Sequence, residues 1–206
     1  MPRQNNDKLT LYKLHPVPME EVLNYQLHEI GETFAIDLKA PSQSEIFLDD
    51  HKHYTKSNIN VCYAAPRSQG KARNWYETQL TVGKEVRLKS GYPIKGIPMY
   101  VVTDDGFGFM AHTTSQNNKQ FAAIGDELIL GRWIKNRLIE DGLIEYVDDI
   151  SKDKERKGMI TKEILEEYGC NAIAFQKTDM RVNDPDIAGN SYEVWTLKLV
   201  YLTDEE

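Results

Sequence analysis

Within the ten residues Pro66-Arg67-Ser68-Gln69-Gly70-Lys71-Ala72-Arg73-Asn74-Trp75 stand three cations, two carboxamides and a hydroxyl. This mixture suits recognition of a nucleic acid. The guanidinium forks of Arg67 and Arg73 match O6 and N7 of guanine, Gln69 or Asn74 can pair with adenine, and Lys71 suits phosphate. Ser68 adds a hydroxyl that serves either purpose. The competing reading is a solvated loop carrying ordinary surface cations. Trp75 also has two readings: an anchor in the core at the start of a strand, or a contact to sugar or phosphate.

The segment lies at the centre of a charge concentration. Residues 51–100 carry nine Lys/Arg (Lys52, Lys56, Arg67, Lys71, Arg73, Lys84, Arg87, Lys89, Lys95) against Glu77 and Glu85, in a chain whose total is −7. A basic face on an acidic body is the footprint of a polyanion binder. The sequence pI of about 5.3 argues against indiscriminate coating of nucleic acid. It leaves specific binding open, because affinity follows the potential within a Debye length of about 8–10 Å. Lys84, Arg87 and Lys89 read equally as phosphate holders or as charges that solubilise an edge strand. Arg132, Lys135 and Arg137 lie on a helix and are expected to pair with Asp126, Glu127 or Glu140.

No catalytic constellation emerges. Asp148 or Asp149 followed by Glu155-Arg156-Lys157 has the order of a metal-binding nuclease motif, but lacks the apolar hairpin that would hold it rigid. Residues 148–157 therefore read as a charged, solvated insertion. No Ser/His/Asp order, glycine-rich phosphate loop or paired-cysteine motif occurs, so no catalytic residue, metal ligand or cofactor is assigned. Cys62 and Cys170 lie in apolar runs and read as small core residues in a reducing compartment. With no apolar stretch of about 18–20 residues and no signal-peptide core, a soluble cytoplasmic protein is expected.

The elements that must position these residues are mainly β. Pro18 opens a predicted helix with Leu23, Leu27 and Ile30 on one face, stopped by Gly31, and Phe34, Ile36 and Leu38 alternate as a strand. Strands are predicted over 58–64, 75–82, 99–103, 107–113, 120–124, 172–176 and 193–202. In the second, Tyr76, Thr78, Leu80 and Val82 are expected to share one face. Asp104-Asp105-Gly106 signals a hairpin turn. Two short helices are predicted, over 127–140 capped by Asp126 and over 161–168 capped by Thr161 and closed by Gly169. Residues 179–191 read as a polar loop. The fold class is α+β, mainly β: a small barrel-like sheet over 57–206 with a helix/strand extension over 1–56.

Three segments then resemble the C-terminal domain of NgoFVII/BfiI-type restriction endonucleases. They are Tyr92-Pro93-Ile94-Lys95-Gly96 with Met99 to Gly106, Ile129 to Leu138, and Ile160 to Gly169 followed by Ala172-Ile173-Ala174-Phe175, with Arg73-Asn74-Trp75-Tyr76-Glu77 ahead of them. The resemblance implies a B-three-like, seven-stranded pseudobarrel that lays two arms into the major groove of double-stranded DNA. By position, 66–75 is the first arm. The second is the hairpin tip His112-Thr113-Thr114-Ser115-Gln116-Asn117-Asn118-Lys119, whose hydroxyls and amides suit base-edge and backbone hydrogen bonds. Its plain alternative is a tip that is polar for solubility. The phospholipase-D-like nuclease of that family needs a His-x-Lys motif, whereas His53 is followed by Tyr54-Thr55-Lys56. The usual Gly-Leu-Asn-Trp-Gly run of the first arm is also replaced.

The expectation is a sequence-specific DNA-recognition module of a restriction-modification-type bacterial defence system. Residues 1–56 would dock a separately encoded nuclease subunit or form a homodimer. The rival readings are a nuclease with a metal-dependent site in the N-terminal region or in 148–157, and a protein-interaction module without DNA binding.

Overall fold

The computed structural model describes residues 11–47, 57–64, 70 and 72–203. In chain order the elements are β1 (His15–Pro16), α1 (Met19–Leu27), β2 (Glu29–Asp37), α2 (Lys84–Arg87), β3 (Met99–Thr103), β4 (Phe107–Thr114), β5 (Gln120–Ala123), α3 (Ile129–Glu140), α4 (Lys162–Tyr168), β6 (Ala172–Asn183) and β7 (Ser191–Val200). One seven-stranded sheet runs β1-β4-β3-β7-β6-β2, with β5 paired to β4. Every pairing is antiparallel except β3 with β7, which is parallel. The mixed sheet is consistent with a B3-like pseudobarrel, though it is not closed.

Strand β3 explains how two cores form. All five of its residues are buried, because β4 and β7 flank it and both faces are covered. Side chains alternate across a strand. Met99 and Val101 therefore enter the main core with Phe109, Phe121, Trp133, Leu138, Leu165, Phe175 and Trp195. Tyr100 and Val102 enter a smaller one with Val17, Val22, Met110 and Val194, roofed by β1 and α1. Helix α4 begins where Thr161 Oγ1 accepts the amide of Ile164 at 3.3 Å and ends at Gly169, whose φ of 83° is left-handed. At the head of α3, Asp126 Oδ1 accepts the amide of Leu128 at 2.9 Å.

Several expectations are corrected. Residues 58–64 form turns and a short 3-10 segment, not a strand. Their apolar run is buried, but asparagine side chains take the place of a neighbouring strand: Asn58 accepts from the amide of Lys39 and donates to Asp37, and Asn60 does both with Ile160. Residues 75–82 make only one bridge, Thr81 with Gln120, and bury Trp75 and Glu77 together with Leu80 and Val82. Lys84–Arg87 is a turn of helix, giving four α-helices among the described residues where a small barrel with two, plus the N-terminal one, was expected. On α1 the buried residue is Val22, while Leu23 and Leu27 are 56% and 85% exposed. Strand β6 reaches Asn183, so the loop before β7 is shorter than expected.

The boundary expected after residue 56 does not separate two packing units. Strand β2 pairs with β6 from Thr33↔Gln176 to Asp37↔Ala172, and Phe34, Ile36 and Leu38 lie in the main core. Cys62 and Cys170 are both buried free thiols. Among the described residues no helix is long and apolar enough to cross a membrane.

Candidate nucleic-acid interface

Of the first arm, Arg67, Ser68, Gln69 and Lys71 lie outside the described residues, as do His53 and Lys56. What is described is the root of the arm, and it is anchored firmly. Trp75 is 3% exposed, and its indole Nε1 donates to the Gly158 carbonyl at 3.0 Å. The Trp75 carbonyl accepts from Lys135 Nζ, which also lies 4.5 Å from the indole ring centroid. Of the two readings of Trp75, the buried indole supports the core anchor over a contact to sugar or phosphate. Asn74 remains exposed, with its Oδ1 accepting the Tyr76 amide at 2.9 Å. Arg73 pairs with Glu77 at 2.5 Å, so a guanine-reading role for this arginine would require that pair to open.

Helix α3 is the platform for this root. At Gly131 an added Cβ would stand 1.7 Å from the Tyr76 carbonyl oxygen, so only glycine allows the helix to approach so closely. Arg132 pairs with Asp126 as expected, but Arg137 bonds Asp104 at 2.5 Å and Tyr168 at 2.7 Å. Lys135 is fully buried, and besides Trp75 it meets Cys62 Sγ at 3.6 Å. Burial lowers its ammonium pKa from the ordinary 10.5, and the neighbouring thiol opposes that shift. Sequence reading missed this lysine because its spacing on the helix also suits a surface ion pair. The available signal was its neighbourhood: Trp133, Ile134 and Leu138 surround it on the apolar face.

The second arm is a hairpin tip between β4 and β5. The Thr113 side chain is buried, its Oγ1 donating to Pro93 O at 3.4 Å, so it is removed from the expected readout set. Its strand neighbours His112 and Thr114 point the other way and are partly exposed. Burial lowers the His112 imidazole pKa, which favours the neutral ring. Beyond them the chain turns through Ser115, Asn117 and Asn118, with φ of 73°, 58° and 55°. Gln116, Asn117 and Lys119 are exposed.

The chain that follows the root of the first arm runs beside the second. The Val82 amide donates to the Lys119 carbonyl at 2.7 Å and Phe121 to Leu80 at 3.1 Å, which lays 80–82 along β5. Arg73, Gln79, Thr114, Gln120 and Glu127 then line one groove over a floor of Phe121 and Leu130. On the other side of the tip, Lys84, Arg87, Leu88, Tyr92, Asn117 and Asn118 line a second groove. Lys84 in its lining is exposed, as are Lys89, which lies 3.7 Å from Glu32, and Lys95; Ile94 and Ile97, exposed apolar residues, were not singled out from the sequence.

The carboxylates of the 148–157 segment are spent on local structure, and the segment ends beside Gly158, which holds Trp75. Asp153 accepts from the Tyr63 hydroxyl at 2.5 Å and from the amides of Lys157 and Gly158, and Asp149 accepts from Ser151. Among the described residues no group of three or more His, Cys, Asp or Glu side chains is placed to hold a metal ion.

The sequence model of the NgoFVII C-terminal B3-like DNA-binding domain matches residues 28–179, well over half of the chain, beginning at the head of β2. No curated protein matches.

Proposed function

The chain belongs to this family of B3-like DNA-binding domains, and from that membership we propose that it recognises a specific sequence in double-stranded DNA. Membership of the family supports DNA binding. Both arms enter the major groove. In the first, Arg67, Ser68, Gln69, Lys71 and Asn74 meet the DNA, and Arg73 joins them if its pair with Glu77 opens. In the second the set is His112, Thr114, Gln116, Asn117 and Lys119. Amides and guanidinium groups read base edges, while Lys71, Lys119 and the lysines around the tip neutralise phosphates.

The observation that carries this reading is that the root of the first arm shares a groove with the second. The root of a cation-rich segment and an almost uncharged amide-rich tip lie side by side, with Lys84 in the lining of the second groove. Phosphate contacts fix register and base contacts specify sequence, so a recognition face needs both kinds together. The module serves a restriction-modification-type system by delivering a separately encoded nuclease.

Selection of bound duplexes from a random library tests this most directly. One enriched sequence is expected, bound with an affinity that falls steeply as salt rises, because each neutralised phosphate releases counterions. Retention that is absent, or indifferent to salt, would refute DNA binding. Reproducible magnesium-dependent cutting of plasmid by the purified protein would instead make the chain a nuclease in its own right.

A further inference from the structure

We propose that Arg87 is a positioning residue for sequence specificity: it holds the hairpin tip in its reading conformation and is not a phosphate contact. The proposal rests on the recognition reading above. Three consecutive carbonyls of the tip each accept a hydrogen bond from a different donor. Arg87 Nη1 donates to Asn117 O at 2.5 Å, the Tyr92 phenol to Asn118 O at 3.1 Å, and the Val82 amide to Lys119 O at 2.7 Å. The same guanidinium donates through Nε to Val82 O at 3.2 Å. Arg87 thereby ties the tip to the segment that descends from the first arm. Asn118 adds a bond of its own, Nδ2 to Pro93 O at 2.7 Å.

Such bracing answers a local difficulty. Ser115, Asn117 and Asn118 all have left-handed φ, a conformation that costs non-glycine residues energy and persists only when the surroundings over-determine it. The bonds that hold the backbone leave the side chains at the apex available. Gln116 and Asn117 are exposed, and neither amide has a partner among the described residues. A fixed loop with free amides is the arrangement that base reading requires, since a wrong base is rejected only if the amide cannot swing to suit it. A phosphate holder would turn its head to solvent, as exposed Lys84 can, whereas two guanidinium nitrogens of Arg87 are engaged by protein carbonyls. Lysine cannot replace this geometry, because one ammonium lacks the planar fork that spans Val82 and Asn117.

The test uses the full chain and a duplex selected by the wild-type protein. Affinities for that duplex and for a scrambled one are measured over a salt series for wild type, Arg87→Ala, Arg87→Lys and Tyr92→Phe, with thermal melting as the check on folding. Both Arg87 variants should lower the ratio of specific to non-specific affinity by about tenfold, near the worth of one base contact. Scrambled-duplex affinity and the salt slope should stay at wild-type values. Tyr92→Phe should shift the ratio the same way, by less, and carries the test if Arg87→Ala does not fold. Restoration of the ratio in Arg87→Lys, or equal weakening on both duplexes with a shallower slope, would make Arg87 a phosphate contact and overturn the proposal. Wild-type discrimination kept intact in every variant refutes the positioning role alone. A wild type that does not discriminate takes down both this role and the recognition reading.

Discussion

Asn117 and Lys135 show two different fates for a polar side chain in this protein. Asn117 has an exposed amide on a braced backbone, so under the proposed recognition its truncation removes a base contact, and alanine tolerates the φ of 58° less well than asparagine. Asn117→Ala should weaken specific binding by about 1–3 kcal/mol and leave non-specific binding unchanged. Unaltered discrimination in a titration would remove the tip from the readout. Lys135 is buried and holds the Trp75 carbonyl, so its effect is on stability. Its folded-state pKa lies below 10.5, which means the unfolded chain binds more protons as pH approaches that value, and stability rises with pH. Lys135→Met has no such group. Urea unfolding from neutral pH toward 10.5 should therefore show wild type gaining on the variant; a constant difference would refute a desolvated ammonium. Cys62, whose thiol is pushed up by burial, remains in both proteins.

At the scale of elements, the contact between α3 and the root of the first arm is set by one missing methyl. Gly131→Ala would drive a Cβ into the Tyr76 carbonyl, and overpacking of a well-packed site costs about 1–3 kcal/mol, occasionally more. A loss of at least that size is expected in denaturant unfolding, together with weaker DNA binding, because the arm moves with its root. Neutral stability would show that the arm root yields. This contact was not legible in the sequence, where Gly131 is an isolated helix glycine. The helix itself was legible, as were α4, β3, the β4 hairpin and β7, because capping residues and period-two or 3.6 patterns announce them. Residues 58–64 and 75–82 misled for a shared reason. Both have apolar alternation, but their backbones are satisfied by Asn58, Asn60, Lys135 and single cross-links instead of a continuous ladder.

For the whole molecule, composition and charge distribution are enough to point to the binding class. A +7 segment inside a −7 chain, together with motif residues in the right order, indicated a DNA-binding domain of this family. Domain extent was a different matter. A chain beginning at Ser57 would lack β2, which pairs with β6, and would uncover Phe175 by removing Phe34, 5.5 Å away between ring centroids. Loss of a cooperative thermal transition is expected for it, measured by circular dichroism, and a cooperative melt at the wild-type temperature would restore the boundary after residue 56. The sequence by itself determined which residues carry charge, where helices are capped and which strands alternate, since these depend on near neighbours. Only the tertiary structure decided that Trp75 and Thr113 turn inward, that Lys135 is buried, and that Arg87 points at the tip and not at solvent. Each of those outcomes depends on a partner many positions away, and no local pattern encodes the partner.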